Sequence, residues 1–187
     1  MIHMKTQDVQ KLGIFLLKGL IIGIVATQAL DKTSELLQDE LDPKIRKREN
    51  KTRGNRQAYE VAVSRMAGLF NRKLSREEER RWGWRFHKAF GISGGYQYLA
   101  LRQKNPKAGK WVGLPFGLLF FVVVDETMNY LLKLTPGPTH FPLQSHARGA
   151  IAHLAYGVAA ESTARALERL PDLAVKEDRE QLFQSAA

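Results

Sequence analysis

Five ionisable side chains stand where a largely apolar, helix-forming chain would otherwise carry leucine: Asp31, His87, Asp125, Glu126 and His153. Two imidazoles and three carboxylates admit three kinds of chemistry. They can interlock as a hydrogen-bonded latch that fixes the register of neighbouring helices, handle protons as a cluster, or ligate zinc or iron, which take mixed nitrogen and oxygen donors. The latch demands least, and it is the first expectation. The spacings match no local metal motif, so no cofactor is expected; His87, Asp125 and His153 are the set a metal would use. His140 and His146 stand beside the cluster in the chain. Glu161 lies four residues before Arg165, which predicts an intrahelical ion pair near an interface, with a milder effect for Glu161→Gln than for His153→Ala.

These residues need helices to position them, and the helices announce themselves by a stripe. Positions four apart share one face of a helix. In HARGAIAHLAYGVAAESTAR the stripe reads Gly149, His153, Gly157, Glu161, Arg165. It recurs upstream as Gly19, Gly23, Thr27, Asp31, then as His87, Gly91, Gly95, and then as Gly113, Gly117, Phe121, Asp125, Asn129. Small residues spaced by four let helix backbones approach closely, and in lipid that approach and buried polar contacts associate spans. Four such faces predict a four-helix arrangement in which the ionisable residues converge on one layer, with His140 and His146 above it.

The runs between give the boundaries. LGIFLLKGLIIGIVATQAL, from 12 to 30, is interrupted only by Lys18 and is long enough to cross a bilayer, which takes roughly 20 residues. With no small-residue cleavage pattern after it, it reads as an uncleaved first span. Residues 31–58, ending in DPKIRKRENKTRGNR, show no apolar period and read as a solvated linker. About 56–72 is amphipathic, with Tyr59, Ala62, Val63, Met66, Leu69 and Phe70 on one face, and suits a membrane interface. Ser75 and Glu78 form a capping-box signature that starts the next helix. A second span is expected at about 82–101, with Trp82 and Trp84 at belt level, a third at 111–132, and a fourth at 145–168. KNPKAGK, 104–110, reads as a turn, and TPGPTHFP, 135–142, as a non-helical cap over one end. Residues 1–170 form one membrane domain on this reading, and 171–187 a mobile charged tail.

Composition narrows the function classes. The 187 residues carry 29 Lys and Arg against 19 Asp and Glu, a net charge of +10, and no cysteine. The lack of thiols removes disulfides, thiolate metal sites and cysteine nucleophiles. The basic excess suits an anionic surface, but the basic stretch lacks the interleaved aromatics that stack on bases, so no nucleic-acid partner is expected. No Ser-His-Asp set, phosphate-binding loop or dinucleotide turn is present.

The segments GLIIGIVATQALDK, FHKAFGISGGYQY, GLLFFVVVDE, LTPGPTHFP and HARGAIAHLAYGVAAESTAR together resemble the YagU-like family of small bacterial inner-membrane proteins, over residues 12–168. That resemblance implies a multi-pass protein of the bacterial cytoplasmic membrane whose biochemical activity is not established. The expectation is therefore an all-α, four-span transmembrane bundle with an interfacial amphipathic helix. Its role would be structural or accessory, with membrane lipid around it and a second copy or a membrane complex as its partner. The alternatives are a small transporter or proton-linked channel using the His/Asp cluster, or a membrane-embedded metal-binding protein. The positive-inside rule places the first loop, 32–81, in the cytoplasm.

Overall fold

The computed structural model describes residues 6–169, and every regular element among them is helical. In order these are α1 (Thr6–Asp39), α2 (Pro43–Thr52), α3 (Ala58–Gly68), α4 (Arg76–Lys104), a 3-10 segment (Pro106–Gly113), α5 (Leu114–Phe121), a π-helical turn (Val122–Met128), α6 (Asn129–Leu131), a 3-10 turn (Pro138–His140) and α7 (Leu143–Arg169). The expected tail, 171–187, lies outside the described residues.

The bundle elements α1, α4, α5 with its continuation to Leu131, and α7 alternate in direction. Gly19 meets Tyr96, Gly23 meets Ile92 and Gly95, and Gly91 meets Thr27, so α4 runs antiparallel to α1. Gly113 meets Gly157 and Gly117 meets His153, so α7 runs antiparallel to α5. A methyl group at Gly95 would stand in the backbone of Gly23, and one at Gly113 in the backbone of Gly157. The helices touch this closely because glycine presents no side chain there. Between α4 and α5 aromatic rings fill the space instead: Phe90 stacks on Phe120 at 6.1 Å, and Tyr98 meets Phe116 edge-on at 4.9 Å. Tyr98, Tyr156, Ile22, Ala26 and Ala160 are fully buried at the centre.

Two stretches, Thr6–Asp39 and Lys107–Leu131, are long and apolar enough to cross a membrane, the second entering its helix at Leu114 after a turn at 110–113. At 1.5 Å per residue the 34 residues of α1 extend about 50 Å, well beyond a hydrocarbon core of roughly 30 Å. Both runs turn one apolar face outward while another, with Ile22 and Phe120, is buried in the bundle. Leu17 and Leu119 are each 57% exposed, while Glu161, inside the bundle, is 0% exposed.

Three boundaries differ from the sequence expectation. The expected linker at 31–58 is helical for most of its length, because α1 runs on to Asp39 and α2 follows. Asp42 caps α2 by accepting from the Lys44 N–H, and Pro43 occupies its first turn. A helix with no apolar stripe gives no periodic signal, and what holds α2 is one buried charge, Glu49. The expected third span at 111–132 begins as a helix only at Leu114. Trp111, Val112 and Gly113 are left-handed, with φ of 57°, 54° and 78°, so the chain reverses there before entering α5. A left-handed β-branched residue is uncommon. The proline segment, expected without helix, contains the single 3-10 turn at Pro138–His140. The amphipathic element expected at 56–72 is α3, which packs on α4 where Gly83 meets Tyr59 and Glu60. Ser75 and Glu78 do form the capping box at the start of α4.

Candidate functional site

A chamber of about 1170 Å³ opens at the end of the bundle where α1 enters the 32–81 segment. Its walls come from every part of the chain already singled out: Asp31 from α1, His87 from α4, Asp125 and Glu126 from the π-helical turn, and His146 and His153 from α7. They line one space, but they are bonded as separate pairs.

The first pair is Asp31 with His87, 2.8 Å apart, and Lys88 reaches the other oxygen of the same carboxylate. His87 is held from behind by Trp84, stacked at 5.3 Å, and by Tyr59 at 5.2 Å. Lys88 lies over the face of Trp84, 4.7 Å from its centroid. Tyr59, on α3, has its hydroxyl pushed above its usual range by burial and by the neighbouring Glu60, which keeps it a hydrogen-bond donor.

The second pair joins α7 to the proline cap. His146 Nδ1 is 2.7 Å from Glu126 Oε1, and its Nε2 is 3.0 Å from the carbonyl oxygen of Pro138. A carbonyl can only accept. Nε2 therefore carries a hydrogen and donates to it, while Nδ1 faces the Glu126 carboxylate.

His153 is placed differently. Its Nδ1 donates to the Gly149 carbonyl one turn back, at 3.0 Å, and the ring lies between Phe120 and Phe121. Asp125 is 3.7 Å from Nδ1, beyond a good hydrogen bond. No side chain among the described residues donates to Asp125. The wide π turn, in which the Asn129 N–H bonds five residues back to Val124, aims it into the chamber. His87 and His153 serve different pairs, and no group of three or more His, Asp or Glu among the described residues is placed to hold one metal ion. His140 bonds the Gly137 carbonyl of its own turn and is not part of the lining.

The roof is the part that sequence reasoning missed. Glu49 of α2 is 2% exposed and takes Ser145 at 2.8 Å, Arg53 at 2.7 Å and Arg148. Arg148 also reaches Ser34 on α1 at 3.3 Å. One carboxylate thus ties α2 to the start of α7. Nothing in KIRKRENKTR distinguishes Glu49 from a solvated charge, because its partner lies about a hundred positions away.

The floor is aromatic. Tyr156 spans the bundle to donate to the Gly91 carbonyl at 2.7 Å, and Phe120 packs against it at 5.3 Å. Beyond the floor, toward the opposite end, lies Glu161. The expected pair with Arg165 is present, but Glu161 also accepts from Tyr98 and, at 2.8 Å, from Arg102, both on α4. Arg165 continues to the Gly109 carbonyl at 3.0 Å, and Arg102 to Glu168. Glu161 is therefore the junction of α4, α7 and the 3-10 segment, and the expectation of a plain ion pair is corrected. Tyr98 and Arg102 are spaced by four on one face, a signal that was readable.

The architecture defines an all-helical protein with two membrane-crossing lengths of apolar helix and a charged chamber at one end. Comparison with family models, curated proteins and solved structures finds no match.

Proposed function

We propose that the chain is a multi-pass integral protein of the bacterial cytoplasmic membrane, with α1, α4, the continuous run from α5 through the π turn to α6, and α7 as its four spans and α3 at the interface. The observation that supports this most is the inversion of polarity. Leu16, Leu17, Leu20, Ile24, Val25, Leu118, Leu119, Val122 and Val123 face outward, while Glu161, Thr27 and His153 are buried. Water would penalise so large an apolar surface; hydrocarbon would not. α4 and α7 are less apolar, and they are sheltered by the other two along their glycine faces. Outward glycine is rare in this arrangement, so the helices use their small residues on each other, in keeping with a YagU-like membrane protein. Its role on this reading is structural or accessory. Alkaline carbonate washing of membranes tests it: the chain is expected to stay in the pellet, and its release into the wash would end the membrane assignment.

The chamber favours a second reading, a small transporter. It is a concave space lined by aromatic rings with a few convergent polar groups, the usual anatomy of a small-molecule site, and its aromatic floor separates it from the Glu161 junction. Flux of a labelled solute into proteoliposomes, lost when the floor is altered by Tyr156→Ala, would support this role over the accessory one.

A further inference from the structure

We propose that the chamber binds an amphipathic organic cation, with Asp125 as its counter-ion and the aromatic floor as the seat of its apolar body. The inference deepens the transport reading and takes from it only the chamber as a ligand site.

It starts from which charges are already answered. Every cation in the chamber wall has a partner. Lys88 is on Asp31, and Arg53 and Arg148 are on Glu49. Arg65 donates to the carbonyls of Leu132 and Lys133 at the end of α6, and Lys32 is on Glu35 at 2.8 Å. An anionic ligand would have to compete with these contacts, because among these cations only the Nε groups of Arg53 and Arg148 are left without an acceptor, and both are buried. The carboxylates of the wall are answered in the same way, with one exception. Asp31, Glu35, Glu49 and Glu126 each have a partner, whereas Asp125 accepts no hydrogen bond from any side chain among the described residues and is 39% exposed in the lining. Its nearest basic neighbours are His153, at 3.7 Å, and Arg148, which is bonded to Glu49 instead; what Asp125 lacks is a positive charge in direct contact.

The surroundings decide what kind. A bare metal ion asks for several oxygen or nitrogen donors, and the neighbours of Asp125 do not supply them: His153 Nδ1 is turned onto the Gly149 carbonyl, and Glu126 is engaged with His146. Aromatic faces are abundant instead. Phe120 and Phe121 lie on the floor side above the buried Tyr156, with Tyr59 on the wall and Trp84 beside it already taken by His87 and Lys88. Rings of this kind attract an alkyl- or arylammonium through their faces and bury its apolar part. The volume of about 1170 Å³ exceeds that of a typical small-molecule pocket, roughly 300–1,000 Å³, so bulk is accommodated.

The test uses the full chain in mild detergent and two ions of the same shape and opposite charge, tetraphenylphosphonium and tetraphenylborate. Binding is read by calorimetry and by quenching of tryptophan fluorescence, to which Trp84 reports from the wall. Saturable binding of the phosphonium is expected, with no saturable binding of the borate. Asp125→Asn is expected to weaken the phosphonium by about tenfold or more, and Asp125→Glu to restore most of it. Equal binding of the two ions, no binding of either, or unchanged affinity in a folded Asp125→Asn overturns the inference. Should Asp125→Asn not fold, the charge selectivity of the unaltered chain still decides. A chain that washes off membranes yet selects the cation would sink only the membrane assignment; one that stays in the membrane and selects neither would sink only this site.

Discussion

Glu161 on α7 and Tyr98 on α4 meet through a single hydrogen bond inside the bundle, and both side chains are fully buried. Because Arg102 and Arg165 converge on the same carboxylate, its loss takes a charged partner from both guanidiniums, leaving Arg102 on Glu168 and Arg165 on the Gly109 carbonyl, where the loss of the phenol removes only one donor. Glu161→Gln is therefore expected to destabilise by about 3 kcal/mol, the low end for removing one partner of a buried ion pair, because Arg165 is 49% exposed and Arg102 keeps Glu168. Tyr98→Phe should lose about 1.5–3 kcal/mol, as for a hydrogen bond to a charged group. Thermal unfolding of both variants in detergent checks the order. A milder loss for Glu161→Gln than for Tyr98→Phe would remove Glu161 from the centre of the junction.

The glycines divide into two classes with opposite expected responses. A Cβ on Gly13 would meet nothing within 4 Å, whereas one on Gly95 would enter the Gly23 backbone. Gly13→Ala should raise stability by several tenths of a kcal/mol through helix propensity, up to about 1. Gly95→Ala forces α1 and α4 apart and should lower stability by about 1–3 kcal/mol, the range for overpacking. The same unfolding measurement separates them. Similar effects at both positions would mean that α1 and α4 do not touch at Gly23 and Gly95.

How much of this was readable beforehand follows from the range of each interaction. The glycine stripes and the Ser75 cap are local patterns with a period of three or four, and a periodic signal survives in the sequence. So does the placement of Asp31, His87, Asp125, Glu126 and His153 around one space, since each follows from counting along a helix. The pairing within that space was not readable, because it depends on the π turn at Val122–Met128 and on the left-handed residues before Leu114, which reset the phase of α5. Glu49 was invisible for a stronger reason: its burial is created by Arg148 and Ser145, distant in sequence, and its own helix has no apolar face to give it away.

The α3–α4 hairpin should respond to acid. Burial of Glu79 opposes its charge, but hydrogen bonds from Ser64 and Arg76 and the charge of Arg56 outweigh burial and hold the carboxyl below its ordinary value of 4.5. A folded value below the unfolded one means that the contribution is fully present above about pH 4.5 and is lost as pH falls through the lowered value. Hydrogen exchange of α3 amides should therefore be constant from neutral pH to about 5 after correction for intrinsic rates, and should accelerate below 4.5. In Glu79→Gln the acid limb should vanish, with faster exchange already at neutral pH. An acid limb that persists unchanged in that variant would assign it to another group.

The two His/Asp neighbours of the chamber make the sharpest contrast. Asp31 and His87 share a 2.8 Å hydrogen bond and are braced by Lys88 and Trp84. Asp125 and His153 stand 3.7 Å apart, and the imidazole is committed to Gly149. Residues that bond across helices in a membrane bundle couple by about 0.6 kcal/mol on average and up to about 1.7, while independent sites add to within about 0.3–0.5. A double-mutant cycle of Asp31→Asn with His87→Ala should therefore give coupling near the top of that range. The cycle of Asp125→Asn with His153→Ala should be additive within the same small error, although His153→Ala alone is costly because it empties the space between Phe120 and Phe121. Coupling at 125 and 153 as large as at 31 and 87 would show that the imidazole leaves Gly149 for the carboxylate, and would take from Asp125 the unanswered charge on which the cation site depends.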